Sequence, residues 1–151
     1  MNLSAPSGCT FTDAGTRTRV YVCGRRLETV SSGDRRRVVA RAPGLIGHWA
    51  WADLSPDETS ILAQWSAECE TPVAFLIVGG KAKPFGGSMT VESLALGWLA
   101  DGRAVVHFPA GVCGTGRNVP GIYAVPRRGR VQLLRRVSGR ATPWTFGMWG
   151  G

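Results

Sequence analysis

Four cysteines, two histidines and ten carboxylates are the residues of this chain that could hold a metal, attack a carbonyl or move a proton near neutral pH. Their spacing favours none of these chemistries. Cys9, Cys23, Cys69 and Cys113 form no C-x-x-C pair, which disfavours a zinc ribbon or a thioredoxin-like centre. His107 and Cys113 carry no local signature of a Cys–His nucleophile, and His48, beside Trp49 and Trp51, suits a packed or edge position. Paired carboxylates for glycoside chemistry would have to come from Glu68, Glu70 or Glu92. The glycine-rich stretch Cys113–Gly121 has one arginine but lacks the G-x-x-x-x-G-K-[ST] spacing, so it reads as a surface loop. No catalytic group, metal or cofactor is indicated. The even cysteine count leaves disulfides, and two pairings stay open: Cys9 with Cys23 within one loop, or neighbouring loop cysteines such as Cys69 with Cys113. Either would imply an extracytoplasmic setting.

The elements that must position these residues are short. With 151 residues the chain suits a single domain with a real core, and 21 Gly and 9 Pro point to many turns and strands rather than helices. Met1–Thr18 has neither the basic nor the apolar region of a signal peptide, and no apolar run reaches 18 residues, so no membrane span is expected. The formal charge is +8, unevenly placed. Ile46–Gly102 holds two lysines against seven carboxylates, a balance of −5 that leaves +13 elsewhere. Six arginines fall in Arg25–Arg41 and six in Arg127–Arg140. Basic edges could meet nucleic acid or another polyanion, although no aromatic interleaves either run.

Comparison of the chain with itself shows a repeat. A shift of 44 lays Ala52–Cys69 on Leu96–Cys113: Leu54-Ser-Pro-Asp57-Glu58 falls on Trp98-Leu-Ala-Asp101-Gly102, and Ile61-Leu62 on Val105-Val106. After a four-residue insertion, Pro72–Ile77 falls on Pro120–Val125. Upstream, Cys9 followed by Arg19–Cys23 and Arg37–Ala40 reads as a third, broken copy. The clearest copy gives four strands, Leu94–Leu99, Arg103–Phe108, Gly121–Val125 and Val131–Val137, in an antiparallel meander. Asp57 and Asp101 are the expected turn formers, with Gly102 supplying a positive φ.

A four-stranded unit of 40–45 residues has the size of a propeller blade. Leu54-Ser-Pro-Asp57 and Trp98-Leu-Ala-Asp101-Gly102-Arg103, each followed by an apolar strand and then by Phe75-Leu76-Ile77 or Ile122–Val125, resemble the WD-like repeats of TolB-type β-propellers. Glu58 stands where that pattern has glycine, and Leu54 where it has tryptophan. The expected fold is therefore all-β, with four-stranded antiparallel blades of a partial propeller. Residues 1–45 would form an incomplete blade without its innermost strand, 46–90 and 91–138 two whole blades, and 139–151 a tail able to supply a closing strand. About 4–8 blades close a ring, so the chain would be part of a longer propeller or would self-associate, because exposed apolar end faces are unfavourable. The resemblance implies non-catalytic, envelope-associated scaffolding. Rim loops 67–71 and 110–120 would face a protein partner, with Glu68, Glu70, Arg117 and Asn118 as candidate contacts. A propeller domain belonging to a larger enzyme such as a hydrolase, and polyanion binding through the arginine-rich edges, are the alternatives.

Overall fold

The computed structural model describes residues 5–66, 72–87, 89, 91–109 and 119–137. Among these residues there is no helix, and twelve strands form three four-stranded antiparallel sheets, none closed into a barrel. Each sheet is a meander in chain order. Sheet 1 comprises β1 (Thr10–Ala14), β2 (Thr18–Cys23), β3 (Arg26–Ser31) and β4 (Arg36–Arg41). Sheet 2 comprises β5 (His48–Leu54), β6 (Ser60–Ser66), β7 (Val73–Val78) and β8 (Lys81–Pro84). Sheet 3 comprises β9 (Leu94–Trp98), β10 (Ala104–Phe108), β11 (Gly121–Val125) and β12 (Gln132–Arg136).

The first sheet corrects the sequence expectation, because all four of its strands are present within residues 10–41. Thr10–Ala14 pairs with β2, so Arg19–Cys23 is a second strand rather than a third. Its β2–β3 connection is only Gly24-Arg25, whereas six residues separate β6 from β7 and twelve separate β10 from β11, so the matching of this upstream copy to the other two slipped at this point. Cys9 precedes β1, and it is Cys23, at the end of a second strand, that shares the chain position of the loops holding Cys69 and Cys113. Those two cysteines lie outside the described residues.

Side chains alternate along a strand, so a strand apolar at every position must be covered on both faces. β7 is of that kind over its first five residues, and β6, although it carries Ser60, Gln64 and Ser66, is buried on both faces from Ser60 to Trp65. Ile61, Ala63, Trp65, Val73, Phe75 and Ile77 pack with Val20, Leu27 and Ala40 of sheet 1. The intervening Leu62, Ala74 and Leu76 pack with Ala95, Ala104, Val106, Phe108 and Val125 of sheet 3. Sheet 2 is thus the filling between two covers. Trp49 anchors the first interface, edge-on to Trp65 and Phe75 with ring centroids 5.1 and 5.3 Å apart. Such pairs add about 0.5–1.5 kcal/mol each beyond the area they bury.

The far face of sheet 1 is not the apolar expanse expected of an end unit. It carries Arg19, Arg26 and Arg36, with the Arg36 guanidinium over a nearly fully buried Glu28. Tyr21, Cys23 and Val30 form a small buried cluster on this face, with Val30 registered between Arg19 and Arg36.

A buried amide ties sheets 2 and 3 together. Gln64 on β6 accepts from the Ala95 N–H at 2.8 Å and donates to the Ser93 carbonyl at 3.2 Å. Ser93 Oγ in turn accepts from the Ala74 N–H at 2.9 Å. Replacing Gln64 by Leu would keep the bulk but leave two buried backbone groups unpaired, at a cost of about 1–3 kcal/mol. A urea midpoint for Gln64→Leu that falls accordingly is the expected result; an unchanged midpoint would contradict this role.

Candidate functional site

Meander connectivity puts the turns 15–17, 32–35, 55–59, 79–80, 99–103 and 126–131 at one end of the sheets, here called the tight-turn rim. The turn between β5 and β6 closes through Glu58 N–H to the Ser55 carbonyl, 2.8 Å, and its counterpart in sheet 3 through Gly102 N–H to the Leu99 carbonyl, 2.9 Å. Glu58 and Gly102 hold equivalent left-handed positions, at φ 58° and 85°. Asp57 Oδ1 accepts from the Ser55 and Thr59 hydroxyls at 2.7 and 2.9 Å and from the Thr59 N–H at 3.2 Å. Asp101 accepts from the Arg103 N–H at 3.1 Å and Nε at 2.8 Å. The Arg103 side chain, and then its backbone N–H, lower the Asp101 pKa.

The side chains of this central turn also grip both neighbours. Glu58, at a position where glycine relieves strain, has its carboxylate in a nest of donors on the β1–β2 turn. Oε1 accepts from the Thr16 N–H and hydroxyl, both at 2.6 Å, and Oε2 from the Arg17 N–H at 3.1 Å. A Cβ at Gly15 would overlap the Glu58 carboxyl, so the clasp also requires glycine there. On the other side Asp57 Oδ2 accepts from Arg127 on the β11–β12 turn of sheet 3. The Thr16 hydroxyl, with the Arg17 and Thr16 N–H groups, holds the Glu58 pKa down to about 2. Arg127, then Ser55 and Thr59, hold Asp57 well below the ordinary carboxylate range.

A second inter-sheet contact was not singled out from the sequence. A bulge between Phe11 and Asp13 on β1 accompanies a hydrogen bond from the Leu54 N–H to Asp13 Oδ2, 2.8 Å. Asp13 Oδ1 takes its neighbour's Ala14 N–H at 2.7 Å. The adjacent Asp53 is pushed up to about 7, first by burial and then by its hydrogen bond and charge contact with Asp13. Both Asp13 oxygens are engaged by backbone donors, so this pair fastens the two sheets. Its sequence signal is faint: an Asp just before the tight turns 15–17 and 55–59.

Cys9 and Cys23 lie at disulfide-bond distance, with an S–S separation of 2.04 Å, beside Glu28. Arg26 Nη2 stands 3.3 Å from Glu28 Oε1, Arg36 pairs with Oε2, and Arg36 Nη2 is 3.3 Å from Cys9 Sγ. Two guanidiniums on the one carboxylate, together with bonded sulfurs, make this group hostile to a cation. His107 is fully buried on β10, where burial lowers its pKa, while His48 is exposed at the start of β5. Glu68, Glu70, Arg117 and Asn118 lie outside the described residues, as do Cys69 and Cys113.

Strand alternation sorts the first arginine run by face. Arg36 lies over Glu28, whereas Arg35 and Arg37 line a cleft of about 510 Å³ between sheets 1 and 2. The β11–β12 turn brings Arg127, Arg128 and Arg130 of the second run to the same rim as Arg35. No family model matches the chain, and neither curated proteins nor solved structures give a significant match.

The two shifted carboxylates give opposite pH dependences. Glu58 is depressed below its ordinary 4.5, so its contribution is present above that value and fades as pH falls toward about 2. Asp53 is raised from 3.8 to about 7, so stability is lost as pH rises between those values. In urea unfolding followed across this range, Glu58→Gln should be less stable than the parent at neutral pH and equal to it at the acid end. Asp53→Asn should match the parent at the acid end and exceed it above neutrality. A constant offset at every pH would contradict both assignments.

Proposed function

We propose that the chain is a non-catalytic binding module, a partial stack of propeller-type blades whose tight-turn rim docks a protein partner with an acidic surface. The observation that carries this reading is convergence: arginines from two runs about ninety residues apart in sequence meet on one rim, while the rim carboxylates Asp57, Glu58 and Asp101 are engaged by turn backbone, hydroxyls and guanidiniums and the exposed Asp34 is paired with Arg19. The consequence is a surface whose available charge is positive. Among the described residues, no ion pair engages Arg35, Arg128 or Arg130. Repeated blade-like meanders with S-P-D-E and L-A-D-G turns support the propeller reading, since such folds commonly carry binding loops on a rigid scaffold. The Cys9–Cys23 pair supports an extracytoplasmic setting. No helix among the described residues is long and apolar enough to cross a membrane.

The test removes equal charge from opposite ends. Arg35→Ala/Arg128→Ala/Arg130→Ala strips the tight-turn rim, and Arg41→Ala/Arg135→Ala/Arg136→Ala strips the strands running to the other end. With poly-L-glutamate as the acidic polypeptide probe, the first variant should bind at least about tenfold more weakly at moderate salt, and the second should change far less. Equal losses in both variants would contradict the rim assignment. Tighter binding to double-stranded DNA than to polyglutamate would favour the polyanion reading over a protein partner.

A further inference from the structure

We infer that the cleft between sheets 1 and 2 is a binding site for a small organic oxyanion, a carboxylate or phosphate group on a short apolar body. It adjoins the tight-turn rim and shares Arg35 with it, but it rests on Arg37 inside the cleft and does not depend on the partner proposed for the rim. The cleft is lined by residues of β2, β3 and β4 of sheet 1 and of β5, β6 and β7 of sheet 2 with their turns, and its volume, about 510 Å³, falls in the range of small-ligand sites.

Its wall is made by alternation. Arg37 is registered opposite Thr29 on β3, and the Arg35 carbonyl accepts from the Ser31 N–H, so both arginines stand on the same face of sheet 1 as these hydroxyl-bearing residues. Thr18, registered opposite Ser31, extends that polar row. Facing it across the cleft, sheet 2 contributes Leu54, Ile61 and Ile77, all largely buried, together with the hydroxyl-bearing Thr59 and Ser60 at the end of its β5–β6 turn. The cationic groups therefore all stand on sheet 1, while Val39, Leu54, Ile61 and Ile77 supply the apolar part of the lining, which matches a ligand with a charged head and a short apolar body.

Two further features leave the arginines available to such a head. The carboxylate in the lining, Glu58, is already bound by the Thr16 and Arg17 donors, and among the described residues no ion pair engages Arg35 or Arg37. The Gly79-Gly80 turn puts no side chain at the mouth, and Arg37 Nη2 occupies the space beside it, 3.8 Å from where a Cβ at Gly80 would stand. A guanidinium so placed can take two oxygens of a carboxylate or phosphate together. Arg36, between these two in sequence, is committed to Glu28 on the other face and serves as an internal control.

The experiment is amide NMR titration of the full chain with phenyl phosphate, phenylacetate, inorganic phosphate and neutral benzyl alcohol. Saturable shifts at Thr29, Arg37, Ile61 and Gly80 are expected with the two aromatic anions, and the tighter of the two identifies the head group. Arg37→Ala should weaken binding by about tenfold or more, the usual loss for a charge-assisted hydrogen bond, and Arg36→Ala by far less. Arg37→Gln, which retains much of the stem without the charge, should lose binding while its spectrum elsewhere remains that of the parent. The inference is overturned if benzyl alcohol binds as tightly as the anions, if Arg37→Ala and Arg36→Ala weaken binding equally, or if no saturable shift occurs.

Discussion

Everything in this molecule depends on the fact that β6 and β7 are buried on both faces and direct large apolar side chains to each side. A sheet with two apolar faces cannot be half-solvated, and burial of each large side chain is worth about 1.5–3 kcal/mol. Sheet 2 therefore requires a cover on each side, and sheets 1 and 3 provide them through Val20 and Leu27 on one face and Val106 and Phe108 on the other. Gln64, Asp13 and the Glu58 clasp set the register of that packing, because each bonds to a backbone N–H in or beside the neighbouring sheet.

The same constraint shapes the surface. Because blade-like meanders stack with their tight turns at one end, residues distant in sequence become neighbours there, and a charge pattern that is diffuse along the chain becomes local in space. Glu58 illustrates the exchange between fold and strain. A non-glycine residue in a left-handed conformation is unfavourable in isolation, yet here it places a carboxylate against donors of the next sheet. A clasp of that kind anchors the central turn while leaving the surrounding arginines to whatever approaches from outside.

Much of this architecture was legible from the chain. In the third unit, short apolar runs separated by turn residues such as Asp101-Gly102 gave strands that agree with β9–β12 to within about a residue at each end. The first unit was misread because Thr10–Ala14 has one large apolar side chain, Phe11, and β3 mixes Arg26, Glu28 and Thr29 with its apolar residues. Its Gly24-Arg25 connection is also far shorter than the six and twelve residues between the corresponding strands of the other copies. Sequence could name the arginine runs but not their convergence, which arises from the order of the meanders. The sorting of Arg36 from Arg35 and Arg37 follows from the register of β4 against β3, including a bulge that no composition reveals. Asp13 and Asp53 were missed for a similar reason, since only packing of β1 against β5 makes them a pair.

If sheet 2 is held from both sides, the three sheets should lose protection together. Native-state hydrogen exchange on uniformly labelled protein measures this directly, amide by amide. The account predicts that Leu62, Ala63, Ala74 and Phe75 exchange only through global opening, with Val20 of sheet 1 and Val106 of sheet 3 sharing that same opening free energy. Three separate opening energies, one for each sheet, or β6 and β7 amides exchanging faster than those of the flanking sheets, would contradict it.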